Sequence, residues 1–144
     1  RATEEVEKMR LATDLSPKRP VVFNLTIGDL TFRKARAQFS SGFFACAGFK
    51  IIDNLGFDSI ADGLKEAEAK NADIIVLCSS DDEYESLAKE IITLAKDKII
   101  VVAGNPKCRP QLEELGIKHF IHVKSNLLEE LTGYQKLIGI EPIN

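Results

Sequence analysis

Histidine is scarce in this chain: its 144 residues include two, alongside three cysteines. Cys46, Cys78 and Cys108 are odd in number and widely spaced, which fits reduced, buried thiols better than a disulfide framework or a zinc knuckle. No excess of positive charge is present either. With 19 Lys+Arg against 22 Asp+Glu and a formal net charge of -3, binding nucleic acid through counterion release would require a local basic stripe, and only one short cluster qualifies. No apolar run approaches the roughly 18 residues that cross a bilayer, and the N-terminus lacks the basic start, apolar middle and small-residue cleavage site of a secretory signal. A cytoplasmic protein without membrane or nucleic-acid partners is expected. A length near 150 residues predicts one core, burying about two thirds of the unfolded chain's surface, so neither disulfide nor metal is required to hold it together.

What is present is a regular alternation. Residues 4–15 carry Val6, Met9 and Leu15 among charges, a weak amphipathic helix stopped by Ser16, Pro17 and Pro20. The chain opens at Arg1 inside this charged pattern, so residues 1–20 are expected to be a linker and residues 21–144 the folded domain of a longer polypeptide. Val21 to Ile27 is β-branched and nearly continuously apolar, a buried strand turned by Gly28 and Asp29. From Thr31 the spacing becomes helical, with Phe32, Ala35, Phe39, Phe43 and Cys46 on one face up to Gly48. A strand at 49–52, helix 60–70, strand 73–78, helix 83–96, strand 98–103, helix 109–115, strand 118–122 and helix 127–137 follow. Five short strands alternating with helices require right-handed crossovers, which predicts a doubly wound α/β fold with a parallel sheet in flavodoxin-like order 2-1-3-4-5. Ligands of such sheets bind at the C-terminal ends of the central strands, here residues 26–36, 78–82 and 103–107.

Those loops exclude several chemistries. The first turn has only Gly28 where a dinucleotide fingerprint needs three glycines. Leu77-Cys78-Ser79 ends the third strand without the aspartate of a phospho-acceptor. Asp81, Asp82, Glu83 and Glu85 complement a helix dipole rather than a metal, and His119 and His122, three apart on a strand, point to opposite faces. Cys78, in apolar surroundings with no nearby histidine, is a suppressed nucleophile. No catalytic residue and no metal ligand is assigned. Arg33, Lys34 and Arg36 in the first turn of a helix oppose its macrodipole. They are either a solvated face or a contact to an acidic patch on a partner.

The run Leu25-Thr26-Ile27-Gly28-Asp29-Leu30, then Arg33-Lys34-Ala35-Arg36-Ala37-Gln38-Phe39 and Phe43-Phe44-Ala45-Cys46-Ala47-Gly48-Phe49, closely resembles the methylmalonyl-CoA mutase small-subunit family, over its C-terminal cobalamin-binding-type domain. Glu7-Lys8-Met9-Arg10 resembles the linker from that family's barrel domain. Catalytic relatives bind adenosylcobalamin through a DxHxxG motif whose histidine ligates cobalt, with SxL and GG motifs lining the slot for the nucleotide tail. By this resemblance DxHxxG falls on Thr31, Arg33 and Arg36, SxL on Cys78, Ser79 and Ser80, and GG on Ala103 and Gly104. A guanidinium is a permanent donor with no lone pair for cobalt, so Arg33 does not replace the imidazole. Thr31 stands for the carboxylate that orients the histidine, and Arg36 puts a long side chain where glycine gives clearance.

The resemblance therefore implies a degenerate, cofactor-free domain in the non-catalytic subunit of a heterodimer. Adenosylcobalamin and the conversion of methylmalonyl-CoA to succinyl-CoA, a step of propionate metabolism, would belong to the large subunit. The implied partners are that subunit and the family's own N-terminal barrel, with Arg33, Lys34 and Arg36 as contact candidates. A domain that keeps cobalamin without the histidine, and an independent flavodoxin-like ligand-binding module, are the alternatives.

Overall fold

The computed structural model describes residues 2–95 and 97–143. Its strands are β1 (Val21–Thr26), β2 (Lys50–Ile52), β3 (Ile74–Cys78), β4 (Ile99–Ala103) and β5 (His119–Ile121). Its helices are α1 (Ala2–Leu15), α2 (Leu30–Ala45), α3 (Ile60–Ala69), α4 (Tyr84–Leu94), α5 (Arg109–Leu115) and α6 (Leu127–Ile138), with a 3-10 turn at Asp81–Glu83 leading into α4. All strand pairs are parallel, in the order β2-β1-β3-β4-β5 expected from the alternation. The central strands β1 and β3 are buried at every position, which is why they read as continuous apolar runs rather than alternating ones.

Two apolar layers result. One packs α1, α2 and α6 on the sheet around Val22, Phe44, Ile74, Val76, Val101 and Tyr134. The other packs α3, α4 and α5 around Phe23, Leu25, Ile75, Tyr84, Ile91 and Leu112. Among the described residues no helix is long and apolar enough to cross a membrane.

Two expectations need correction. Helix α4 ends at Leu94, and Lys96, its expected last residue, lies outside the described residues. More consequentially, α2 is rotated from its expected face: its buried residues are Ala37, Ser40, Phe43 and Phe44, while Phe32 is 49% exposed. The cause is Asn24, a polar residue inside β1. Its side-chain amide donates to Ala37 O (3.3 Å) and Ser41 Oγ (3.0 Å), and its Oδ1 accepts from Ser40 Oγ (2.7 Å). A buried amide without partners costs more than two serines gain in water, so the small polar side of the helix turns inward. That rotation carries Arg33 and Arg36 toward the sheet.

Residues 2–15, expected as a weak amphipathic helix within a linker, form α1 and pack on α6. Met9, Ala12 and Thr13 are buried, and Gln135 Nε2, itself buried on α6, donates to Met9 O (2.7 Å) and Thr13 Oγ1 (2.9 Å). Replacing Gln135 with leucine removes the α6 donor from the buried Thr13 hydroxyl and from Met9 O, and is expected to cost about 1–3 kcal/mol. Denaturant titration with amide exchange should show the loss, with α1 exchanging fastest; unchanged protection of α1 would contradict this attachment.

Candidate functional site

The C-terminal ends of β1, β3 and β4 face one crevice, and side chains of the chain itself fill it. Arg36 reaches in from the second turn of α2. Its Nη1 donates to Ala103 O and to Tyr84 Oη (3.3 Å), and its Nη2 pairs with Asp81 Oδ1 at 2.9 Å. The guanidinium lies 5.7 Å from the Tyr84 ring centroid, in cation–π range. Tyr84 is fully buried: its hydroxyl accepts from Ser79 N (3.1 Å) and donates to Ala103 O (2.5 Å). Burial pushes the Tyr84 phenol up, and the Cys78 beside it pushes the same way, so it stays a neutral donor. Burial also opposes the charge of Arg36, but Tyr84 and Asp81 outweigh it and raise the guanidinium above its ordinary value.

Glycines supply the room for these side chains. Gly104 has φ +138°, and a Cβ there would overlap Arg36 Nη1. At Gly56, with φ +125°, the Cβ position is 2.7 Å from the Arg33 guanidinium carbon, and at Gly28, with φ +85°, it is 2.6 Å from Glu83 Cδ. Clearance that would let a ligand approach the backbone is thus used by Arg36, Arg33 and Glu83. Arg33 donates from Nη1 to Gly28 O (3.1 Å) and from Nη2 to Leu55 O (3.2 Å). Two cations in the first turns of a helix are met by strand-end and loop carbonyls, whose partial negative charge offsets the unfavourable dipole.

Glu83 fastens the first and third loops together. Its Oε1 accepts from Ser80 Oγ (2.6 Å), Asp29 N (2.9 Å) and Ser79 Oγ (3.2 Å). The Ser80 hydroxyl, then the Asp29 N–H, hold this carboxyl below its usual range. A depressed folded pKa gives stability that is present above the unfolded value, near 4.3, and lost as pH falls through the folded one. Wild type should therefore exceed Glu83→Gln in stability at neutral pH, with the gap closing as the pH drops below about 4. Urea midpoints across that range measure it; a gap that does not change with pH would contradict this role for Glu83.

The motif positions fall as follows. Arg36, Ser80, Ala103 and Gly104 converge in the crevice. Cys78 ends β3 fully buried, its thiol pushed up by burial and by Asp53. Arg33 lies to one side, over Gly56, and Thr31 and Lys34 are exposed on α2. Half-buried His119 on β5 meets the Tyr134 ring of α6 in a tilted contact, and His122 Nδ1 accepts from Lys124 N at 3.2 Å. Among the described residues no group of three His, Cys, Asp or Glu side chains is placed to hold a metal ion. Sequence reasoning missed Tyr84, Asn24 and Asn54, and gave Glu83 to a helix dipole rather than to the tie it makes between two loops. Ser80-x-x-Glu83 has capping-box spacing, and an asparagine inside an apolar strand signals a buried network, so two of these were detectable. Tyr84 carried no signal, because it meets Arg36 across 48 residues.

No family model matches the chain. It is 54% identical over 141 residues, 97% of its length, to the methylmalonyl-CoA mutase small subunit of Porphyromonas gingivalis. It spans 23% of that protein. The crystal structure of a cobalamin-binding protein from Desulfitobacterium hafniense superposes with a TM-score of 0.57, covering 96% of this chain and 72% of that one. At 14% identity this likeness bears on the fold alone. Sequence and topology agree: over nearly its whole length the chain is similar to one segment of the methylmalonyl-CoA mutase small subunit, and its parallel sheet shares the fold of a cobalamin-binding protein.

Proposed function

We propose that this is a structural domain of a methylmalonyl-CoA mutase assembly, one that holds no cobalamin and contributes no catalytic residue. The observation that carries the reading is the Arg36 guanidinium lying over Gly104, bonded to Ala103 O and paired with Asp81. By the family resemblance this is the wall of the nucleotide slot, and a bound tail would have to displace a charge-assisted pair and a buried Tyr84 hydrogen bond together. The axial position offers no substitute either. At Thr31, Arg33 and Arg36 no side chain has an imidazole-like lone pair, and the arginines are permanent donors. The residues present therefore do not fit the cofactor.

On this reading the adenosylcobalamin and the isomerisation belong to a large subunit, and the domain stabilises the assembly. Large subunit reconstituted with the full small-subunit polypeptide, with and without this segment, should show equal kcat per assembled enzyme. The version lacking the segment should inactivate faster on heating. Loss of kcat in a still-assembled enzyme would overturn the structural role.

A further inference from the structure

Beside the filled crevice, between the start of α2 and the loop after β2, lies a second cavity of about 310 Å³. Leu30, Leu55 and Ala37 give it apolar walls, and Arg33, Lys34 and Asp53 surround them. Leu55 is 96% exposed and Leu30 61% exposed, so two leucines stand in water at the lip of a hole. Isolated exposed leucines need no explanation, but the backbone around Leu55 is fastened by hydrogen bonds. Arg33 clamps Leu55 O, the Asn54 side-chain amide donates to Asn24 O at 2.6 Å, and Asn54 Oδ1 accepts from Thr26 Oγ1. On the far side Phe57 N donates to Thr26 O at 2.8 Å, and Gly56 makes the turn at φ +125°. A loop fastened at every step loses little entropy when its apolar tip is covered, which is the property of a binding anchor.

The charge around the cavity has one sign in excess. Arg33 spends its donors on carbonyl oxygens, and among the described residues Lys34 forms no ion pair and Asp53 is the single carboxylate in the lining. Two cations against one anion, neither cation paired with a carboxylate, favour an occupant that brings negative charge.

We propose that this socket docks an apolar, net-acidic surface of the mutase partner subunit, an apolar side chain entering between Leu30 and Leu55 and a carboxylate meeting Lys34. The proposal rests on the assembly reading above and shifts the contact from the whole cationic turn to Lys34 and Leu55, since Arg33 and Arg36 are bound within the chain.

The test uses the full small-subunit polypeptide as wild type, Leu55→Asp and Lys34→Glu, titrated with the large subunit by calorimetry at low and high salt. Leu55→Asp should weaken association about 30-fold or more. Lys34→Glu should weaken it less and flatten its salt dependence, and neither should lower the small subunit's own melting temperature. Wild-type affinity in both variants would overturn the proposal. A variant that instead changes its own sedimentation assigns the socket to a second copy, and one that loses its own melting temperature assigns it to the same polypeptide; both also overturn it. If wild type itself does not associate with the large subunit, the assembly reading fails and takes this proposal with it, an outcome distinct from failure confined to the socket.

Discussion

Phe44→Ala is expected to cost about 3–5 kcal/mol, the range for deleting a fully buried aromatic from a packed core. Phe44 is completely buried on α2 at the centre of an aromatic cluster. Its ring centroid lies 5.4 Å from Phe43 and 5.2 Å from Tyr134, both edge-to-face, and 6.1 Å from Phe49 in a stacked arrangement. The deletion therefore removes hydrophobic transfer energy and three ring pairings, each worth about 0.5–1.5 kcal/mol beyond area burial. It also loosens the buried face by which α2 holds the Arg33 and Arg36 side chains over the strand ends. For a domain of this size the melting temperature should fall by about 10 °C or more. A loss below about 1 kcal/mol would mean that the neighbouring rings collapse into the space, contradicting a tightly interlocked layer.

Gly104→Ala is expected to cost about 3 kcal/mol, and for two separable reasons. The backbone there has φ +138°, a conformation that L residues rarely adopt, and a non-glycine residue held in such a region costs of order 1–3 kcal/mol. The added Cβ also overlaps the Arg36 guanidinium, which cannot move without leaving Ala103 O, Tyr84 and Asp81. The two contributions separate in a double-mutant cycle with Arg36→Ala, where the alanine at 104 meets no guanidinium and only the backbone strain remains. A coupling of about 1 kcal/mol or more is expected. Additive effects would show that Arg36 does not occupy the clearance over Gly104, and the account of the filled crevice would lose its geometric basis.

The sheet was legible in the sequence because its central strands are buried on both faces and Gly28 marks the first turn. Burial on both faces leaves runs such as Ile74–Cys78 with no competing helical period. Helix α2 was misjudged in rotation for the converse reason. Its inward face includes Ser40, which bonds Asn24, and Arg33 and Arg36, which bond carbonyls, so counting apolar residues selected Phe32 instead. Polar residues face inward where a crevice must be filled, and hydrophobic periodicity has no way to register them. The location of the crevice followed from topology, and the motif positions from resemblance. What lies between them did not: Tyr84, Asp81 and Ala103 reach Arg36 from two other strand ends, and pairings that distant leave no local spacing to read.

The most direct test of the filled crevice is a titration of the chain with adenosylcobalamin and with hydroxocobalamin, followed together by calorimetry and visible absorbance. The account predicts no heat of binding and no spectral change up to millimolar cofactor, since Arg36 holds the slot and no residue at the axial position has a lone pair to offer. Saturable binding of either cobalamin, by heat or by spectrum, would contradict it, showing that Arg36 leaves Gly104 and the slot accepts the cofactor.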